Sequence, residues 1–185
     1  MGLRGEADQI IKKSIQAVLP DEAVAKALRG KEFGQGKIYM VAVGKAGWQM
    51  GKAAADILQD RLEAGVVVTK YDHVKGEIPR TRCFEAGHPV PDENSYLATQ
   101  AALDLVAQAS AEDVVVFLLS GGGSALFEKP LVPGDELQDI TTQLLACGAD
   151  IVEMNTIRKR LSAVKGGRFA LACEPAKVFS IVLSD

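Results

Sequence analysis

Residues 113–124, DVVVFLLSGGGS, decide the fold. Six consecutive apolar residues, Val114 to Leu119, are followed at once by a serine and three glycines. An apolar run of that length is strand-sized. Its lack of polar alternation is the pattern of a strand covered on both faces, as in a parallel sheet flanked by helices. Working outward, four more segments read as strands: 37–43 (KIYMVAV), 65–70 (GVVVTK), 82–86 (RCFEA) and 177–183 (KVFSIVL). Between them, 46–60, 94–109, 135–146 and 151–163 read as helices, with Leu97, Ala101, Leu105 and Ala109 recurring every four residues. Ile10, Ile11, Ile15, Val18 and Leu19 also stand at helical spacing. Strands alternating with helices of these lengths predict a three-layer α/β fold with a largely parallel, Rossmann-like central sheet. The run 177–183 reads as a central strand, and the chain stops two residues beyond it. A buried strand without a return element marks the chain as a fragment of a longer protein.

Composition narrows the function classes. The 185 residues carry 21 basic and 24 acidic side chains, a net charge of −3. That balance argues against duplex nucleic acid or an anionic membrane surface as partner, since both select a basic excess. Apolar residues make up 48% of the chain, enough to build a core. The longest apolar run falls far short of the roughly 20 residues that span a bilayer. The three cysteines Cys83, Cys147 and Cys173 include no CxxC pair, which fits a reducing, cytoplasmic setting. A homo-oligomer stays open.

Ligands of open parallel sheets bind beyond the carboxyl ends of the strands. Those ends carry Gly44-Lys45-Ala46-Gly47, then Gly87-His88-Pro89, then Ser120-Gly121-Gly122-Gly123-Ser124, then Ser184-Asp185. The first joins a buried strand to a helix, where glycines permit a tight turn and helix N–H groups face an anion. Lys45 there is either a point charge for a phosphoryl group or a turn lysine in water. The loop is neither a Walker A sequence nor GxGxxG. In 120–124, three glycines after a buried strand favour an anion cradle of backbone N–H groups, with serine hydroxyls as added donors, over a merely flexible loop. The basic run 155–168 reads by composition as a solvated helix face. His88 reads as a loop residue, and His73 lies in a polar loop. No metal-ligand spacing and no Cys–His pair occurs.

Taken in order, VAVGKAGWQMGKAA (41–54), GHPVPDENS (87–95), LLSGGGSALFEKP (118–130), MNTIRKRLSAVKGGRFA (154–170) and VFSIVLSD (178–185) resemble the N-terminal domain of the MOFRL-type glycerate 2-kinases. That family also goes by the name hydroxypyruvate reductase. The likeness runs from about residue 6 to the last residue and departs at Arg160, where histidine is expected. It implies ATP-dependent phosphorylation of D-glycerate to 2-phosphoglycerate with Mg²⁺, glycerate and a nucleotide being the partners. Lys45 matches the catalytic lysine. Gly44, Ser120, Gly121, Gly122, Gly123 and Ser124 would bind phosphate or carboxylate, with Asn155, Arg158 and Lys165 in the same anionic cleft. Asp185 would help hold the metal. Residues 1–185 would then be the first of two α/β domains, exposing apolar surface where the second docks. Two other classes stay open: an NAD(P)-dependent hydroxypyruvate reductase, against which the missing dinucleotide fingerprint counts, and a non-catalytic sugar-phosphate-binding module.

Overall fold

The computed structural model describes residues 2–184. At its centre lie β1 (Ile38–Val43), β2 (Leu62–Lys70), β3 (Thr81–Ala86), β4 (Val114–Leu119) and β5 (Lys177–Val182). They form one sheet in the order β3-β2-β1-β4-β5, and every neighbouring pair is parallel. The fold is the expected α/β type, with the strand order of Rossmann sheets.

Strand geometry explains the unbroken apolar runs. Successive side chains of β1 point to opposite faces. Tyr39, Val41 and Val43 enter one cluster with Val66, Val68, Val115 and the alanines of α4 (Glu93–Val106). Ile38, Met40 and Ala42 enter the other with Val67, Val116 and Met50 and Ala54 of α3 (Gly47–Leu58). Val24 and Leu28 of α2 (Pro20–Leu28) close that second face. Both faces are thus dry, so no position in β1 selects a polar residue. Burying one valine stabilises by roughly 1.5–3 kcal/mol, and the valines of β1, β2 and β4 dominate this core.

Two expectations change. The segment 177–183 is not central: β5 pairs with β4 alone and lies at the sheet edge, with Val182 64% exposed. Its apolar character comes from contacts on the two faces of the strand, where Phe179 stacks edge-on against Phe33 and Val178 packs on the first cluster. The amino-terminal periodic stretch is helical only as far as Ala17, with Val18 and Leu19 between helices, because Pro20 opens α2 at its first turn. The preceding α1 (Leu3–Ala17) buries none of its residues. Short helices α5 (Gly123–Leu126) and α8 (Arg168–Ala172), and α6 (Gly134–Ala146) and α7 (Ile151–Arg160), complete the chain.

Asp113 ties the starts of β1 and β4 together. Its carboxylate accepts the N–H groups of Lys37 and Ser110, each at 2.7 Å, and the Ser110 hydroxyl at 2.8 Å. Those bonds, Ser110's first, hold the carboxyl below the ordinary aspartate value of 3.8. A depressed carboxyl contributes stability that is present above the ordinary value and lost as pH falls through the folded one. Asp113→Asn should therefore lower stability at neutral pH and flatten the loss of stability below about pH 4. Urea midpoints at neutral and acid pH measure this; identical acid slopes for both proteins would remove Asp113 from the account.

Candidate functional site

The chain runs from β1 outward through β2 and β3 on one side, then returns to place β4 on the other side of β1. The crevice beyond the carboxyl ends of β1 and β4 is the point where the winding reverses, which is where such sheets bind ligands. The register pairs Val43 with Leu119, so the loops 44–47 and 120–124 leave the sheet at one level.

The two loops are locked together. Gly44 has φ +118°, and a Cβ there would sit 2.2 Å from the Ser120 hydroxyl and 2.5 Å from the Ser120 carbonyl. Only glycine fits so close a crossing. The Lys45 N–H donates to the Gly121 carbonyl at 2.8 Å, and the Ala46 N–H to Ser120 Oγ at 3.0 Å. Ser120 Oγ in turn donates to the Val43 carbonyl at 3.3 Å. Ser120 was expected to offer its hydroxyl to an anion; being buried and engaged on both sides, it acts instead as the clamp between the loops. The Gly123 N–H likewise turns back to the Ser120 carbonyl at 3.3 Å. Among the described residues no hydrogen bond engages the N–H groups of Gly121 and Gly122. These two donors, with the exposed Ser124 hydroxyl, are what the loop presents to a ligand. Lys45 is exposed at the same mouth, and its carbonyl accepts from the buried Thr69 hydroxyl at 3.3 Å.

His88 belongs to this mouth too, which its sequence context as a plain loop residue did not reveal. Gly122 has φ +85°, and a Cβ there would lie 2.9 Å from both Cδ2 and Nε2 of His88 and 3.2 Å from Cγ of Lys45. Lys45 and His88 therefore flank Gly122 from two strand ends.

Beside the switch point a cleft of about 480 Å³ opens over β4 and β5. Its floor is aromatic: Phe117 and Phe127 pack on Phe169 at centroid distances of 4.9 and 5.1 Å. Gly123 and Ser124 line it together with Asn155, Arg158 and Lys165. Helical spacing splits the basic run, since Asn155 and Arg158, three residues apart on α7, are half-buried while Lys159 and Arg160 are exposed.

Lys165 faces a different partner from the one expected. Its ammonium pairs with Glu128, whose side chain is 1% exposed, and donates to the Phe127 carbonyl at 3.1 Å. Burial draws the Lys165 ammonium below its usual value, Glu128 opposes that shift and Arg158 adds to it. Arg158, Asn155 and Lys159, with the hydroxyls of Ser124 and Ser180, are thus polar side chains of the cleft with no carboxylate bonded to them among the described residues. Glu128 gave no sign in the sequence beyond an acidic residue ending the apolar ALF.

Asp185 lies outside the described residues. Among the described residues no three His, Cys, Asp or Glu side chains gather around a point, so no metal cage is built from them. Burial pushes the Cys173 thiol up to about 11, away from thiolate chemistry. Among the described residues no helix is long and apolar enough to cross a membrane.

Residues 6–185 match the profile of a family described as "Domain of unknown function (DUF4147)". A D-glycerate 2-kinase of Thermotoga maritima is 52% identical over 185 residues, covering 99% of this chain and 44% of that protein. A glycerate 2-kinase of Pyrococcus horikoshii is 44% identical over 198 residues, covering 100% of this chain and 44% of that protein. The crystal structure of a Thermotoga maritima glycerate kinase superposes with a TM-score of 0.91 at 52% identity, over 99% of this chain and 44% of its own. The chain spans under half the length of these relatives.

Proposed function

We propose, since this chain belongs to the DUF4147 family, that it supplies the phosphate-handling lobe of a kinase that moves the γ-phosphoryl group of ATP to the 2-hydroxyl of D-glycerate. The observation that carries this reading is the interlock of the two glycine loops at the switch point. It brings Lys45 and the N–H groups of Gly121 and Gly122 to one mouth. The 52% identity to a D-glycerate 2-kinase supports the choice of substrate.

Phosphoryl transfer asks for positioning and charge neutralisation more than covalent chemistry. Lys45 meets the charge that grows on the transferred group. The N–H groups of Gly121 and Gly122 orient a non-bridging oxygen, with Gly44 and Ser120 holding the two loops in register. Arg158 and Asn155 receive the remaining anionic end, a carboxylate or a phosphate, at the cleft rim. Lys165 contributes through Glu128 to the shape of that rim and not as an anion ligand. Magnesium would arrive on the phosphates of the nucleotide, as it does where proteins offer one or two carboxylates at most. Residues 1–185 would be one of two α/β lobes, the other closing the open side of the mouth.

The test is product analysis on the protein at its natural length. With D-glycerate, ATP and Mg²⁺, ³¹P spectra should show 2-phosphoglycerate and ADP at turnover of roughly 1–100 s⁻¹. Absence of any phosphoglycerate would overturn the kinase reading, and oxidation of NAD(P)H by hydroxypyruvate would replace it with the reductase.

A further inference from the structure

We propose that His88 is the base that takes the proton of the substrate hydroxyl, a role that rests on the kinase reading above. As the 2-oxygen bonds to the γ-phosphorus, the bond from that phosphorus to its β,γ-bridging oxygen breaks and the electron pair leaves on ADP. The hydroxyl proton has to go to a group within hydrogen-bond reach of the attacking oxygen.

His88 meets the geometric requirement. Its Nε2 edge lies against Gly122, whose N–H is one of the two donors that the loop presents, and the stem of Lys45 meets the same glycine. A phosphoryl group held there stands between the lysine and the imidazole. The ring is exposed, and among the described residues no hydrogen bond engages either of its nitrogens. A lone pair is therefore available to a substrate.

Its mount is firm. The neighbouring Gly87 packs on the Asp92 carboxylate, where an added Cβ would lie 3.0 Å from Oδ2, and that carboxylate caps α4 through Ser95 and accepts the Tyr71 hydroxyl at 2.7 Å. The loop that carries the imidazole is thus fastened to β3, α4 and the loop after β2. A firmly held base can be aimed, whereas a flexible one would lose that advantage.

The other proton acceptors nearby are already engaged. The Asp92 carboxylate accepts Ser95 through both N–H and hydroxyl as well as Tyr71. Glu128 is buried against Lys165. His73 differs by position, since it sits on the loop after β2 with its backbone N–H bonded to Glu85 at 2.9 Å, while the ring against Gly122 is that of His88. Lys45 from the β1 loop meets the same glycine as His88, and Asp92 at the start of α4 lies against the neighbouring Gly87, one charge of each sign.

His88→Asn in the protein at its natural length should lower kcat by about 10²–10⁴-fold and leave the KM for ATP within about threefold. Glutamine should not rescue the rate. A wild-type protein that makes 2-phosphoglycerate while His88→Asn keeps kcat within about twofold overturns the histidine role and spares the kinase reading. No product from the wild type overturns both. Should the variant fail to fold, the unaltered protein decides, with the imidazole signals assigned through a His73→Asn variant, since His73 and His88 are the two histidines of residues 1–185. Titrated D-glycerate should shift the imidazole NMR signals of His88 and leave those of His73 in place. Unmoved His88 signals at saturating glycerate would sink the proposal.

Discussion

Lys45→Ala should cut kcat by about 10²-fold or more, the usual loss when a donor to the transition state is removed. The substitution takes away the ammonium and leaves the backbone bonds of residue 45 in place. The Lys45 N–H bond to the Gly121 carbonyl and the Lys45 carbonyl's bond from Thr69 are backbone interactions at residue 45, and alanine keeps both. The side chain is exposed, so the change in folding stability should stay within about 0.5 kcal/mol, as at most surface sites. The prediction therefore separates chemistry from structure: a large fall in rate with an unmoved thermal midpoint. Equal kcat for the two proteins would take Lys45 out of the mechanism. A collapse of the midpoint would mean that the ammonium holds the loops together. Glycerate and nucleotide affinities should fall less than kcat, because a charge that grows during transfer is met more strongly in the transition state than in the bound ground state.

The sheet was legible because burial on both faces leaves a strong mark. β1 and β4 are wholly apolar and β2 carries three buried valines at its centre, and the three runs fall within three residues of the observed bounds. The edge position of β5 was not legible, since an apolar run records contacts on the faces of a strand and says nothing about hydrogen bonds at its sides. Helix ends were read too far: 94–109 stops at Val106 and 151–163 at Arg160, where turns take over. In the candidate site, strand-end position pointed to Lys45 and the glycines, because it follows from topology alone. Long-range pairing was invisible. Nothing local says that the Ser120 hydroxyl reaches back 77 residues to Val43, or that Lys165 turns to Glu128. His88 was set aside on its own context, yet its role depends on Gly122, which is 34 residues away and tolerates no side chain.

The largest stability effect should come from that same hidden pair. In Glu128→Ala the Lys165 ammonium, whose side chain is 15% exposed, loses its carboxylate and keeps only the Phe127 carbonyl. Breaking a buried ion pair on one side costs about 3–5 kcal/mol, and the residual exposure of Lys165 places the expected loss near the lower figure. Removing both charges is different. Glu128→Met with Lys165→Met takes away two desolvation penalties along with the attraction, so the double variant should recover most of the loss, and a double-mutant cycle measures the coupling. The pH dependence follows from the lysine. Glu128 now opposes the downward pull of burial on Lys165, and without it the folded value falls further below the ordinary 10.5. A lysine depressed in the folded state costs stability wherever the unfolded chain holds the proton, and that cost disappears as pH rises through the ordinary value. The deficit of Glu128→Ala should therefore be full at neutral pH and shrink above about pH 10. Chemical denaturation at the two pH values decides the matter: a deficit that is the same at both would mean that lost packing, and not an uncompensated charge, destabilises the variant.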